Sequence, residues 1–253
     1  MSPSPCDKKN RKEINKWSCC NFLKMENYTA ELYEYLCNFL SEERKQKFEK
    51  FAALRTRYVT LALEDIFQPH NASAVLRSAE CFGVQDVHVI ENRNRYNPNP
   101  DVVLGANKWL TLHHHRGSEN NTLACIEHLK KNRYRIVATT PHKNDGLISD
   151  LDLQKGKVAL FFGTEIDGVS ETVLSHADEF VKIPMFGFTE SFNISVSAAI
   201  CMYELLPRLR KTKIPWQLSE KEAEETRLGW AKSSLNHADL LEKEFRKIKG
   251  LDV

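Results

Sequence analysis

IPMFGFTESFNISVSAAI, residues 183–200, changes character twice within one short stretch. Ile183 ends a strand-like apolar run, Pro184 and Gly187 interrupt it, and Ser191-Phe192-Asn193 leads into a helix. Val196, Ala199, Ile200 and Tyr203 then recur at i, i+3, i+4 and i+7, the period of a helix face. Polar groups such as Ser191 and Asn193, set between a buried strand and a buried helix, are costly without a binding partner. A ligand pocket is expected there.

Working outward, the same strand-to-helix alternation recurs upstream. YVTLAL (58–63), VHVI (87–90), RIVAT (135–139), VALFF (158–162) and FVKI (180–183) are short β-branched or aromatic runs. Helical stretches lie between them at 71–82, 121–132 and 170–177, and another follows at 195–206. Alternation of this kind, with continuous apolar strands, predicts an α/β fold: a parallel sheet with helices on both faces. Pro207 and Pro215 are expected to end the last helix, ahead of a charged helical region at 216–249 with Trp216 and Trp230 as docking points. Upstream, Thr29, Leu32, Leu36, Phe39 and Leu40, then Ser41 before EERKQKFEKFAAL, predict two helices over 29–55. Residues 1–28 are polar and basic and read as a disordered extension, with Met25 a possible native start. The expected domains are therefore 29–55, 56–206 and 207–253.

Composition narrows the class. With 253 residues and 42% hydrophobic content the chain can bury a sizeable core. No apolar run approaches a membrane span, and the first residues lack the apolar stretch of a signal peptide. Seven cysteines at irregular spacing, with no CxxC, argue against a disulfide framework or a zinc site and for a reducing, cytoplasmic setting. Residues 1–60 carry 12 Lys+Arg against 8 Asp+Glu, and 205–253 carry 11 against 8. Residues 61–204 carry 13 against 18. Basic ends on an acidic centre suit extensions that hold a polyanion, although solvated helix faces would look the same.

In open parallel sheets, ligands bind beyond the carboxyl ends of strands. Three such ends carry unusual polar residues: Glu64-Asp65 through NASAVLRSAECFGV (71–84), FFGTEIDGVS (161–170), and the 183–200 stretch. Asn71, Ala74 and Arg77 are three apart and read as one side of a helix, with Asn71 as its cap. There is no GxGxxG, and Gly163 to Gly168 has phosphate-loop spacing without the following Lys. What remains is two Gly-bearing turns and a Pro-bearing strand end, whose backbone suits a flat heterocycle.

Together, NxxAxxRSAxxFGV, FFGTExxGVS and IPMxGxxxSFNISVSAAI resemble the three motifs of the SpoU/TrmH RNA ribose 2′-O-methyltransferases, of the SPOUT superfamily, over about 56–206. Phe192 stands where Leu is usual and Ser78 where Thr is frequent. The resemblance implies a SPOUT-type sheet with a C-terminal deep trefoil knot over about 158–206, a homodimer, and S-adenosyl-L-methionine as cofactor. It implies cofactor contacts at Thr139, Gly163, Ile183 and Phe192. Catalytic positions carried over by motif are Arg77, Asn71, Glu165, Ser191 and Asn193. Length, the helical extensions and GANKWLTL (105–112) look most like the members that methylate the D-loop guanosine of tRNA. A ribosomal RNA methyltransferase of the same family and a non-catalytic RNA-binding protein on the same fold are the alternatives.

Several of these residues have second readings. Arg77 is the family's proposed proton acceptor, yet a guanidinium does not give up its charge readily. A charged Arg77 that orients an RNA phosphate and stabilises the developing alkoxide is the better physical role. Asn71 and Asn193 are expected to hold that guanidinium and the cofactor end, with Ser191 supporting the loop. Glu165 reads equally as a helix cap. His113-His114-His115 invites a metal, but alternate strand residues face opposite ways and no Cys or carboxylate sits at ligand spacing, so no metal is expected. Arg93, Arg95, Lys108 and Arg116, with Tyr96, suit RNA phosphates and a splayed base, or a solvated loop. Cys81 and Cys201 read as small core residues.

Overall fold

The computed structural model describes residues 27–96, 99–141 and 146–251. The extension read at 1–28, with Met25, lies outside them except for Asn27 and Tyr28. Residues 53–218 form one compact unit; the described residues up to Ala52 and from Ser219 form another.

The strands of the 53–218 unit are β1 (Val59–Glu64), β2 (Asp86–Ile90), β3 (Thr111–His115), β4 (Tyr134–Thr139), β5 (Gly146–Leu147), β6 (Lys157–Phe162) and β7 (Glu179–Lys182). They form one sheet in the order β3-β2-β1-β6-β4-β7-β5, with every pair parallel. In the central pair Leu61 is in register with Leu160 and Ala62 with Phe161. Alternate residues therefore feed two cores: Leu61, Leu63, Leu160 and Phe162 on one face, Ala62, Ala159 and Phe161 on the other. Helices α3 (Pro69–Phe82) and α6 (Ile194–Arg210) bring Val75, Leu76, Ala198 and Met202 to the first. Helices α4 (Asn121–Lys131) and α5 (Glu171–His176) bring Ile126, Leu129 and Val173 to the second. The expected α/β sheet, covered on both faces, is what these residues build. β5 was not read from the sequence, and β3 only as a strand through its three histidines, not among the apolar runs. β3 is half exposed and carries three histidines, and β5 is two residues long, so neither makes an apolar run.

Two readings of α6 need correction. It does not end at 206 but runs through Pro207 to Arg210. An internal proline costs roughly 3 kcal/mol by removing a helix bond and crowding the carbonyl four residues back. That carbonyl belongs to Tyr203, which is exposed, and Leu205, Leu206 and Leu209 are fully buried around the break. Each buried leucine returns about 1.5–3 kcal/mol. Arg208 then donates to the carbonyls of Ile148 and Leu151, which holds the last turn. The apolar stripe read at Val196, Ala199, Ile200 and Tyr203 is the outward one. Ile194, Ala198, Cys201, Met202 and Leu205 make the core face. Cys201 is buried as expected, whereas Cys81 is exposed.

The other unit gathers helices from both ends of the sequence: α1 (Tyr28–Cys37), α2 (Glu42–Ala52), α7 (Glu220–Ser234) and α8 (Ala238–Ile248). Leu32, Leu36, Phe48, Trp230 and Phe245 are its buried anchors. Trp230 meets Phe48 with ring centroids 5.7 Å apart, and a Ser219–Glu222 capping box starts α7. Trp216 instead packs on the core of the 53–218 unit.

Candidate active site

β6, β4 and β7 are neighbours in the sheet, and their carboxyl ends line a cavity of about 440 Å³. The turn after β6, the loop before α6 and the first turns of α6 complete its walls. Thr139, Gly163, Ile183 and Phe192, the expected cofactor positions, all line it, as do Glu165 and Ser191. The turn after β6 is closed on itself: Thr164 N–H donates to Gly168 O at 2.9 Å and Gly168 N–H to Thr164 O at 3.1 Å. A Cβ on Gly163 would lie 1.8 Å from Gly168 O, so only bare backbone fits at that wall. Thr139 Oγ1 donates to Phe161 O at 2.7 Å, which fixes the end of β4. Cys201 also lines the cavity, and burial pushes its thiol up to about 12, so it stays an uncharged packing group.

Beside the cavity, residues from all three motifs meet. Glu165 Oε1 accepts from Asn71 Nδ2 at 2.6 Å and from Asn193 Nδ2 at 3.0 Å. Asn193 Nδ2 also lies 3.1 Å from Asn71 Oδ1. The other end of Asn193 caps α6, its Oδ1 accepting from Ser195 N at 2.9 Å and Ser195 Oγ at 2.6 Å. This carboxylate–amide lattice revises three expectations. Asn71 does not cap α3; it sits in the first turn, buried, and bonds Glu165 instead. Glu165 does not cap a helix either, because Ser170 Oγ caps α5. Asn71 and Asn193 hold each other and Glu165 rather than a guanidinium.

Arg77 stands apart from that lattice. Residues three apart on an α-helix are offset by about 60°, so two such steps carry Arg77 roughly 120° round from Asn71. Asn71 accordingly points inward, while Arg77 is exposed and has no hydrogen-bond or ion-pair partner among the described residues.

Two acids at the end of β1 organise the rim. Buried Glu64 accepts from Thr122 Oγ1 at 2.6 Å, Ser170 Oγ at 2.7 Å and Ser170 N at 2.8 Å. Asp65, in the left-handed region at φ 50°, accepts from the backbone N–H groups of Asn92 and Arg93 at 2.8 Å and of Asn94 at 3.3 Å. A polar pair directly after an apolar strand was their only signal in the sequence. The loop so held presents Arg93 and Arg95 to solvent, and Lys108 and Arg116 are exposed too. Tyr96 is partly buried: its ring packs on the core, and burial pushes its hydroxyl up to about 12. His114 turns to Glu91 at 3.3 Å, while His113 and His115 take the opposite face of β3.

The SpoU rRNA Methylase family pattern matches residues 58–203. A tRNA (guanosine(18)-2′-O)-methyltransferase of Borreliella burgdorferi is 44% identical over 207 residues, covering 82% of this chain and 93% of that protein. The Thermus thermophilus protein of the same name is 31% identical, covering 65% of this chain and 82% of its own. Among solved structures, the A. aeolicus TrmH/SpoU tRNA modifying enzyme superposes with a TM-score of 0.68 at 25% identity, covering 77% of this chain and 98% of that one.

Proposed function

Since the chain belongs to the SpoU methylase family, we propose that it is an S-adenosylmethionine-dependent methyltransferase acting on the ribose 2′-hydroxyl of guanosine 18, in the D-loop of tRNA. The observation that carries this reading is the Asn71–Glu165–Asn193 lattice at the edge of a cavity walled by bare strand-end backbone. A cavity of about 440 Å³ lies in the range of cofactor sites. Gly163, on the cavity wall, is closed to any side chain by the backbone of Gly168, so the turn there requires glycine.

When bound, S-adenosylmethionine would supply an electrophilic methyl group for the ribose 2′-oxygen, with a neutral thioether as the leaving group once the sulfonium C–S bond breaks. The chain's own part is alignment and proton handling. Thr139, Gly163, Ile183 and Phe192 hold the cofactor; Glu165, locked by two asparagine amides, fixes the turn after β6 against α6. Ser191 supports the loop between them. Arg77, charged and free to reach out, binds an RNA phosphate beside the target and stabilises the alkoxide as it forms. The proton leaves to phosphate or water. Arg93, Arg95, Lys108 and Arg116 hold the RNA backbone nearby, where their charge counts most at low salt.

The finer architecture belongs to the same proposal. The catalytic domain read at 56–206 takes in the end of α6 to Arg210, and helical extensions flank it at 29–55 and beyond α6, with a trefoil knot over about 158–206. The insertion of β6 between β1 and β4, with β7 beyond β4, supports a threaded chain. A homodimer is supported by the outward apolar stripe of α6, where Tyr203 is 70% exposed, and by Phe186 and Phe188, which are fully in solvent. A cytoplasmic setting fits a tRNA substrate. Among the described residues no helix is long and apolar enough to cross a membrane.

The test is methyl transfer from labelled S-adenosylmethionine to unmodified tRNA and, separately, to ribosomal RNA. Incorporation into tRNA is expected. Incorporation into ribosomal RNA alone would displace the substrate, and incorporation into neither would end the enzyme reading.

A further inference from the structure

The sequence set a metal aside because neighbouring strand residues diverge and no partner ligand is close by in sequence. The fold brings partners from elsewhere. Strand pairing sets His88 of β2 opposite His113 of β3, and the two-residue period puts His115 on the same face. α4 packs on that face and contributes His128 and, one turn earlier, Cys125. The rings of His88 and His113 stack with centroids 4.6 Å apart, and His128 lies 5.7 and 5.9 Å from them. One ring nitrogen from each of these three lies within 4.8 Å of the other two. A tetrahedral zinc ion with nitrogen ligands at about 2.0–2.1 Å needs them roughly 3.3 Å apart, a gap that small side-chain rotations close.

The surroundings fit an ion as well as the ligands do. Asp86 is buried, its Oδ1 makes no hydrogen bond among the described residues, and that oxygen lies 3.4 Å from His113 Nε2. His115 Nε2 lies 3.0 Å from His88 Nδ1. Metal-bound histidines commonly have their second nitrogen held in this way by a carboxylate or another acceptor. His113 and His128 reach solvent, which leaves the ion a way in.

We propose that His88, His113 and His128 form a site for one divalent transition-metal ion of the imidazole-preferring class, zinc foremost, with Asp86 and His115 supporting the ligands. Imidazole suits zinc, copper and nickel, whereas magnesium and calcium require oxygen donors. None of the three lines the methyl-transfer cavity, so the ion's work is structural. It ties the edge strand β3 to β2 and to α4.

The test uses metal-free full-length protein titrated with zinc against a chromophoric chelator. The variants are His128→Asn, the double variant His113→Asn/His128→Asn, and His114→Asn on the opposite face as control. His128 is exposed, so H128N should fold, and circular dichroism without metal checks each variant. Wild type and H114N should bind one more zinc ion per chain than the double variant. H128N should bind that ion at least tenfold more weakly, and zinc should raise the melting temperature only where the site is intact. Equal stoichiometry and equal melting shifts in wild type and double variant would overturn the proposal. Cobalt in place of zinc should give visible d–d bands without a thiolate charge-transfer band. Such a band, abolished by Cys125→Ser, would overturn the three-imidazole assignment.

Discussion

Asn71 and Arg77 mark what a sequence motif conveys about single residues and what it leaves out. Their identity and order were legible, and so was the cavity wall, because Thr139, Gly163, Ile183 and Phe192 all fall on it. Their partners were not legible. A three-residue step read as one helix face drifts by about 60° each time, so a buried amide and an exposed guanidinium were read as neighbours. Arg77 is exposed and has no hydrogen-bond or ion-pair partner among the described residues, which suits the phosphate contact proposed for it. Arg77→Ala is expected to lower kcat about 100- to 1,000-fold, the usual cost of removing one donor to a developing oxyanion. Affinity for S-adenosylmethionine should be unchanged. Arg77→Lys keeps the charge and loses the fork, so it should recover only part of the rate. Single-turnover kinetics with equilibrium cofactor binding measures both, and a wild-type rate for the lysine variant would contradict a forked contact.

Elements were read most securely where apolar runs are continuous. β1 and β6 lie in the middle of the sheet and bury nearly every side chain, so their pattern is plain. β3 escaped the apolar runs because it is an edge strand whose histidines face half into solvent on one side and against α4 on the other. α6 escaped in a different way. In the sequence Pro207 marks a stop, but the leucines around it make the helix worth continuing. Pro207→Ala restores the missing N–H beneath the Tyr203 carbonyl and should raise stability by about 1–3 kcal/mol, read as a higher urea midpoint at unchanged slope. A lower midpoint would mean that the proline ring, rather than the leucines, holds that turn. The same helix has two apolar stripes, and the more conspicuous one in the sequence is the one left outside. Periodicity detects a stripe and cannot say which surface covers it.

At the scale of the molecule, fold class and family were legible from three ordered motifs. The assembly of helices from both ends of the chain into one unit was not, because the residues that pack together are some two hundred positions apart in sequence. The outward stripe of α6 belongs to this scale, since only a second copy of the chain is proposed to cover it. Tyr203→Glu puts a charge on that stripe and should shift the protein from dimer to monomer in light scattering, with methyl transfer falling alongside. A dimer that survives unchanged would move the interface elsewhere. The central claim is more direct: this cavity and this lattice serve 2′-O-methylation of one guanosine. Mass spectrometry of nuclease fragments from unmodified tRNA, after incubation with the protein and S-adenosylmethionine, tests it. The account predicts a single added methyl on the ribose of D-loop guanosine 18, formed about 100- to 1,000-fold more slowly when Arg77 is alanine. A methyl on a base, or on a ribose elsewhere in the tRNA, would contradict it.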